Sequence, residues 1–445
     1  MPKHPDLLQD KIRPLYWHYL LPSVGGTIVT SIYILVDTIM IGKGIGPLAV
    51  AALNIILPLY AFLYGAGFLF GVGGAVLLAV ARGRGETKEA NGFFSTAILL
   101  NLATTVIYMA LVAIFFEKII AFLGATPLTA TLIREYAWVF WLGTPCFMFS
   151  AFLQPFIRND AGVRLVMVGV VSGGVLNIFL DYLFIFVFQG GMAGAALATV
   201  LGTGFTLLVL TSHFWRRHNT LRLIWSALSL RKAKAIFVNG LSAFLIETSA
   251  GLIIFAFNWQ LLRYTGETGV AVYGIIANTA IMVGSVANGI AQGAQPIISH
   301  NFGAQQSQRI KAIYRLGLLT AFVTGASFCL FGLFFPTQVV QIFLVPTPEI
   351  AGLARPAILI YFFAFIPMAA NIFLGGFFQA ILRPRIALLI ILLRGFALSL
   401  GFVFILPHWL NVAGIWLAMP LAETATLVIA LWLKKATQRH EAGAD

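Results

Sequence analysis

Apolar residues in this chain do not alternate with polar ones at a helix or strand period; they run on for about 20 positions at a time, the length that carries a helix across a hydrocarbon core of roughly 30 Å. Short basic or Gly/Pro-rich segments break the runs. Apolar length and breakers together predict helices near 15–40, 48–76, 91–115, 132–155, 163–188 and 192–214, then near 236–262, 269–298, 313–335, 352–379, 385–406 and 413–433. The fold class is therefore all-α: a polytopic membrane protein of twelve transmembrane helices. Its start, MPKHPDLLQDKIRPLYW, has no compact apolar region followed by a cleavage signal, so the first span is expected to serve as an uncleaved insertion signal.

Composition agrees with a lipid solvent. Of 445 residues 10% are charged and 60% hydrophobic, where a soluble domain carries about a quarter of its residues as charges. The net charge of +13 raises the question of nucleic acid, and the placement of the charges answers against it, because they lie in the gaps between apolar runs. Twenty-two of the 28 Lys and Arg fall on loops of one side, five on the other, and Arg394 lies inside a span. Under the positive-inside rule both termini and the long basic linker are expected in the cytoplasm. Cys146 and Cys329 lie far apart in apolar runs and read as small buried hydrophobes rather than metal ligands or a disulfide framework.

The two halves resemble each other at an offset near 220 residues. GPLAVAALNI pairs with ETGVAVYGII, GVGGAVLLAVARG (71–83) with GIAQGAQPIISHNFG (289–303), LQPFIR (153–158) with FQAILR (378–383), and GMAGAALATVLGT (191–203) with NVAGIWLAMPLAE (411–423). Six spans per half is an even number, so both halves enter the membrane from the same side. The expectation is two six-helix bundles related by a pseudo-two-fold axis along the membrane normal, with a substrate path between them. That divides the chain into a first lobe over 1–214, a basic linker over 215–235 that reads as a tether or a solvated loop, and a second lobe over 236–445.

An ionisable side chain at the bilayer centre costs at least about 2.5 kcal/mol, which makes each one a functional candidate. Asp37 has Tyr33 one turn earlier on its face of the first span; in the fifth, Asn177 and Asp181 are four residues apart on one face. At 1.5 Å per residue the two aspartates reach similar depth in the outer half of the membrane and can meet. Two carboxylates with amide, phenol and hydroxyl neighbours can share a proton or bind a monovalent cation such as sodium; no other metal site is expected. Glu247, Arg394 and Glu423 lie near the midplane of the second-half spans, and pairing of Arg394 with Glu247 or Glu423 inside the second lobe is expected, as a structural or a working ion pair. Pro22 with Gly25 and Gly26 predicts a bend in the first helix, and Pro155 one at the end of the fourth.

Twelve spans in two repeats, Asp37, the Asn177/Asp181 pair and the Gly motifs ARGRGE and HNFGAQ make the chain resemble the multidrug and toxic compound extrusion (MATE) transporters over nearly its whole length. The resemblance implies a V-shaped pair of bundles that alternate access, export of amphipathic, often cationic compounds, and inward proton or sodium flow. It implies no cofactor beyond the coupling ion, no enzymatic activity, no nucleic-acid partner, and a monomer in the cell (inner) membrane. In the branch with its coupling site in the first lobe, the matching positions here are Asp37, Tyr33, Asn177, Asp181 and Thr199, with Gln154 where that branch has asparagine. Glu247 resembles the helix 7 carboxylate of another branch, but residues 352–379 lack the helix 10 aspartate that goes with it and hold Asn371 and Gln379. The rival reading is a lipid-linked precursor flippase of the same wider superfamily, which Arg394 alone supports poorly. No DDxxD, DxxxD or HExxH run suggests an intramembrane enzyme.

Overall fold

Backbone groups in hydrocarbon must be satisfied within their own segment, which leaves helices as the solution for a chain of this composition. The structure, a computed structural model, describes residues 5–343 and 347–442. Within them helices follow one another with no strand. α1 (Ile12–Gly44), α2 (Pro47–Gly83) and α3 (Thr87–Phe122) are single long helices. α4 (Pro127–Leu142) and α5 (Thr144–Asn159) form a fourth span bent by 54°. α6 (Val163–Asp181) continues into a π-helical run, Tyr182–Val187, and α7 (Gly191–Thr211) follows.

α8 (Leu230–Gly303) has 74 residues, about 110 Å of helix and several times the thickness of a bilayer core. Gly266, at φ 64° and ψ −158°, divides it into two spans; that region of backbone space is open essentially to glycine alone. Next come α9 (Ser307–Phe334), the short α10 (Pro336–Phe343), α11 (Pro348–Tyr361) with α12 (Phe365–Ala380), α13 (Pro384–Leu392) with a π-helical run Leu393–Ala397 and α14 (Leu398–Ile405), and α15 (Pro407–Ala442). Ten helical runs are long and apolar enough to span a membrane, or eleven with α4 and α5 joined. Dividing α8 at Gly266 brings the spans to twelve among the described residues.

The sharp bend of the fourth span falls away from its proline. The fourth span breaks at Gly143, between α4 and α5, while Pro155 sits inside an unbroken α5. At Gly143 a Cβ would stand 2.4 Å from Val200 Cγ2 of α7, so the missing side chain lets the bent corner seat against its neighbour. In α1 helical backbone continues through Pro22, Gly25 and Gly26 from Ile12 to Gly44, so a bend at these residues involves no break in the helix.

The internal repeat is written in the backbone. Positive-φ residues recur 220 or 221 positions apart at Gly46 and Gly266, Gly85 and Gln305, Ala161 and Leu382, and Gly191 and Asn411. Thr126 and Thr347 cap α4 and α11 with the same side-chain bond. These landmarks correct the pairing of LQPFIR with FQAILR, which assumed a separation of 225. Gly162 N–H donates to Ile157 O and Arg383 N–H to Phe378 O, both at 2.8 Å, so Gln154 corresponds to Gly375 and Arg158 to Gln379. The error is four residues, about one helical turn, and a one-turn slip keeps the same helix face in register.

The chain divides into two compact units, Met1–Thr248 with Ser299–Ser307 and Ser249–Ile298 with Gln308–Asp445. The division does not follow the expected boundary at the linker, because the opening stretch of α8 goes with the first unit. In that unit glycines let helices touch: Cβ atoms on Gly67 and Gly71 would fall 2.7 and 2.8 Å from the Met148 and Phe152 carbonyl oxygens of α5. Small residues of this kind are how helices associate where lipid offers no hydrophobic contrast. Phe94, Phe152 and Phe156 fill the core beside them, with centroids 5.0 Å apart for Phe94–Phe156 and Phe152–Phe156.

The linker is a strap rather than a solvated loop. At the end of the first unit where α2, α5 and α7 terminate, Asp160 accepts from Arg82 Nη1 at 2.8 Å, lies 2.7 Å from His213 Nε2, and accepts from the backbone N–H of Thr220 at 3.0 Å and from the Thr220 hydroxyl. Further along, Arg222 N–H donates to Asn91 Oδ1 and Ile224 N–H to Ser95 Oγ. Leu221 is buried in the aromatic core of that unit, and Lys232 pairs with Glu89 at 3.0 Å.

Candidate functional site

α1 and α6 pack against each other for much of their length, and near the far end of α6 from Val163 they bring Asp37 and Asp181 together. Asn177 and Asp181 lie about 21 and 27 Å along α6 from its start. The two carboxyl groups come within hydrogen-bonding reach of each other. Ionised carboxylates only accept, so a proton or a cation is needed to join them. Asp181 is fully buried and neither of its oxygens has a donor; Asp37 Oδ1 and both amide atoms of Asn177 are likewise buried without a partner. Buried polar atoms are almost always hydrogen-bonded, so five such atoms on three neighbouring side chains form a cluster with the chemistry to hold a proton or a monovalent cation.

Packing fixes the geometry. A Cβ on Gly174 would stand 2.8 Å from the Tyr33 ring, and one on Gly202 2.7 Å from Asn177 Cβ. Asp181 sits where the α ladder of α6 gives way to the π-helical run, the kind of widened turn that occurs often at functional sites. Tyr136 of α4 lies within the electrostatic reach of both aspartates and has the Thr199 hydroxyl near its own. Because the Thr199 hydroxyl donates to Ala195 O at 3.1 Å, its lone pairs are what it offers to the Tyr136 hydroxyl. The hydroxyl groups of Tyr33, Tyr60, Tyr64 and Thr203 lie near one another.

Of the sequence candidates, Asp37, Asp181, Asn177, Tyr33 and Thr199 converge. Gln154 does not: its Oε1 accepts from Arg158 Nη2 at 3.0 Å, and it sits five residues from the end of α5, about 7.5 Å along that helix. Sequence reading missed Tyr136, Tyr60, Tyr64 and Thr203. The i, i+4 spacing of Tyr60 and Tyr64, whose rings stack at 4.7 Å, was a usable signal; Tyr136, lost in the aromatic run REYAWVFWL, offered none.

In the second unit Arg394 pairs with Glu423, Nη2 to Oε1 at 2.7 Å and Nε to each carboxylate oxygen at 3.2 Å. Asn371 Nδ2 donates to Glu423 Oε2 at 2.7 Å. Glu247 is not the partner of Arg394. It lies half-buried on the opening stretch of α8, which groups with the first unit by contacts, and its charge acts on Tyr64 there.

Twelve helical spans, a duplicated backbone plan and unpaired buried acids in the first unit define the class as a polytopic membrane transporter. The MatE family profile matches twice, at residues 22–183 and 242–405, once for each half of the repeat. The chain belongs to the MatE family. It is 26% identical over 418 residues to the multidrug export protein MepA of Staphylococcus saprophyticus, covering 93% of this chain and 91% of that one. To MepA of Staphylococcus aureus strain MRSA252 it is 28% identical over 306 residues, 66% of each chain. A multidrug resistance MATE family transporter of the MOP superfamily, solved in an outward-facing conformation, superposes with a TM-score of 0.92 at 22% identity over 99% of both chains. A MOP superfamily transporter from Pyrococcus furiosus gives 0.89 at 22% identity over 98% of both. These solved structures share the fold.

Proposed function

We propose that this protein exports amphipathic, often cationic small molecules by antiport with protons or sodium, and that the ion exchanges at Asp37, Asp181 and Asn177. The observation that carries the reading is the convergence of two carboxyl groups and one amide whose buried atoms lack partners. A proton between the carboxylates, or a sodium ion held by carboxylate and amide oxygens, satisfies them. Either ion favours a tight α1–α6 contact, and its loss leaves two like charges side by side. A coupling ion drives transport only through such a difference between states. Tyr136 and Tyr33 orient the pair. The relatives' names as multidrug export proteins support the substrate class, and the distribution of Lys and Arg supports cytoplasmic termini in a cell (inner) membrane. The protein needs no cofactor and works as a monomer.

A lipid-linked precursor flippase is disfavoured because Arg394, the cation that such a headgroup would seek, is engaged by Glu423. The test is dye efflux from vesicles under a proton or a sodium gradient imposed separately. Asp37→Asn is expected to slow ion-driven export by about 10-fold or more, the scale of a coupling free energy. Export at the wild-type rate down the same gradient would overturn the assignment.

A further inference from the structure

The buried acid of the second unit is satisfied where those of the first are not. Glu423 has 0% exposure, yet each of its oxygens has a donor, from Arg394 on the π-helical run and from Asn371 on α12. Tyr361 of α11 also faces the pair, its ring edge-on to Tyr273 with centroids 6.4 Å apart; a neutral phenol brings no charge. The pair has no net charge, and a guanidinium does not give up its proton in a protein. In the first unit the corresponding positions are Gly173 and Thr203, 221 and 220 residues earlier. A Cβ on Gly173 would stand 2.6 Å from Gly202 O, so α6 and α7 close on each other at that level with no room for a charged side chain. The second unit has an ion pair in its place.

We infer that Arg394 is a permanent counter-ion that keeps Glu423 charged and out of ion exchange, so that no coupling ion is taken up in the second unit. Arg394 acts as a positioning residue through Glu423. Its removal turns Glu423 into a new proton site, because a lone carboxylate on three packed helices takes a proton in preference to remaining an unpaired buried charge. The Oδ1 of Asn371, buried without a donor, is the acceptor available to the resulting O–H. The inference rests on the antiport reading only for its consequence in transport; the charge state of Glu423 is testable without it.

Dicyclohexylcarbodiimide adds to protonated carboxyl groups in apolar surroundings, and peptide mass spectrometry locates the adduct. With the full chain in lipid vesicles near neutral pH, Glu423 is expected to stay unmodified in the wild type and in Arg394→Lys, and to be modified in Arg394→Gln. Modification of wild-type Glu423, or none in an Arg394→Gln protein that keeps its wild-type melting profile, overturns the inference. Should Arg394→Gln fail to fold, the double variant Arg394→Gln/Glu423→Gln carries the test. It is expected to export with the wild-type number of ions per substrate, and a smaller number overturns the inference. Modification of Asp37 and Asp181 in the same samples reports on the first-unit site separately, so failure there leaves the result at Glu423 readable.

Discussion

Tyr136 reaches both aspartates from a third helix, and its hydroxyl lies near that of Thr199. Tyr136→Phe keeps the ring in its packed place, 3% exposed, and removes one donor, whose hydrogen bond is worth about 1 kcal/mol. The expected result is a loss of about fivefold in ion-driven efflux with an unchanged melting temperature, since about 1 kcal/mol is a factor near five. Asp160 gives the opposite pattern, a stability effect at a residue remote from the Asp37 and Asp181 cluster. Burial alone would raise its pKa, but His213, Arg82 and Thr220 outweigh that and hold it at about 2. A depressed carboxylate contributes stability that is complete above the ordinary carboxylate range and is lost as pH falls from about 4 towards 2, here about 2 kcal/mol. Melting temperature in detergent should fall over that window in the wild type. Asp160→Asn should melt lower near neutral pH and change less below pH 4. Asp37, Asn177 and Asp181 were legible in the sequence because a charge or amide inside an apolar run stands out. Asp160 was not, because it lies in a loop where charge is expected.

At the scale of elements, the sequence marked where helices lie better than where they bend. Proline attracts the eye as a breaker, but Pro155 is accommodated in α5, whereas Gly143, with a common residue type and no local signal, marks the 54° corner. The reason is tertiary: the corner exists because α7 passes within 2.4 Å of where a Cβ would be. Gly143→Ala should therefore overpack against Val200 and cost about 1–3 kcal/mol, read as a lower melting temperature. Combining it with Val200→Ala should restore most of the loss, whereas a defect of backbone conformation at Gly143 (φ −76°, ψ −7°) would not be rescued. The register of the repeat shows the same limit. Side-chain similarity cannot separate residues one turn apart on a helix face, and the left-handed turns at Ala161 and Leu382 could.

On the scale of the molecule, the basic linker illustrates how composition misleads when contacts are unknown. Residues 215–235 carry six Lys and Arg and read equally well as a solvated loop, the sort of segment in which proteases cut first. In the structure the backbone is itself bound: the N–H groups of Thr220, Arg222 and Ile224 each donate to a buried side chain of the first unit, and Leu221 is 2% exposed. A protease needs several residues of extended, detached chain, so cleavage must wait for local opening, and its rate follows the stability of the strap. Limited trypsin digestion of the purified protein should cut at Arg216 and Arg217, which precede the strap, well before Arg222, although all three carry the same recognition chemistry. Asp160→Asn replaces one of the two oxygens that accept from Thr220 with an N–H2 donor and removes the charge that Arg82 and His213 face, and should bring cleavage at Arg222 up towards the rate at Arg217. A mere surface loop would be cut at all three sites alike, with no response to a substitution on α5's end some 60 residues away in the chain.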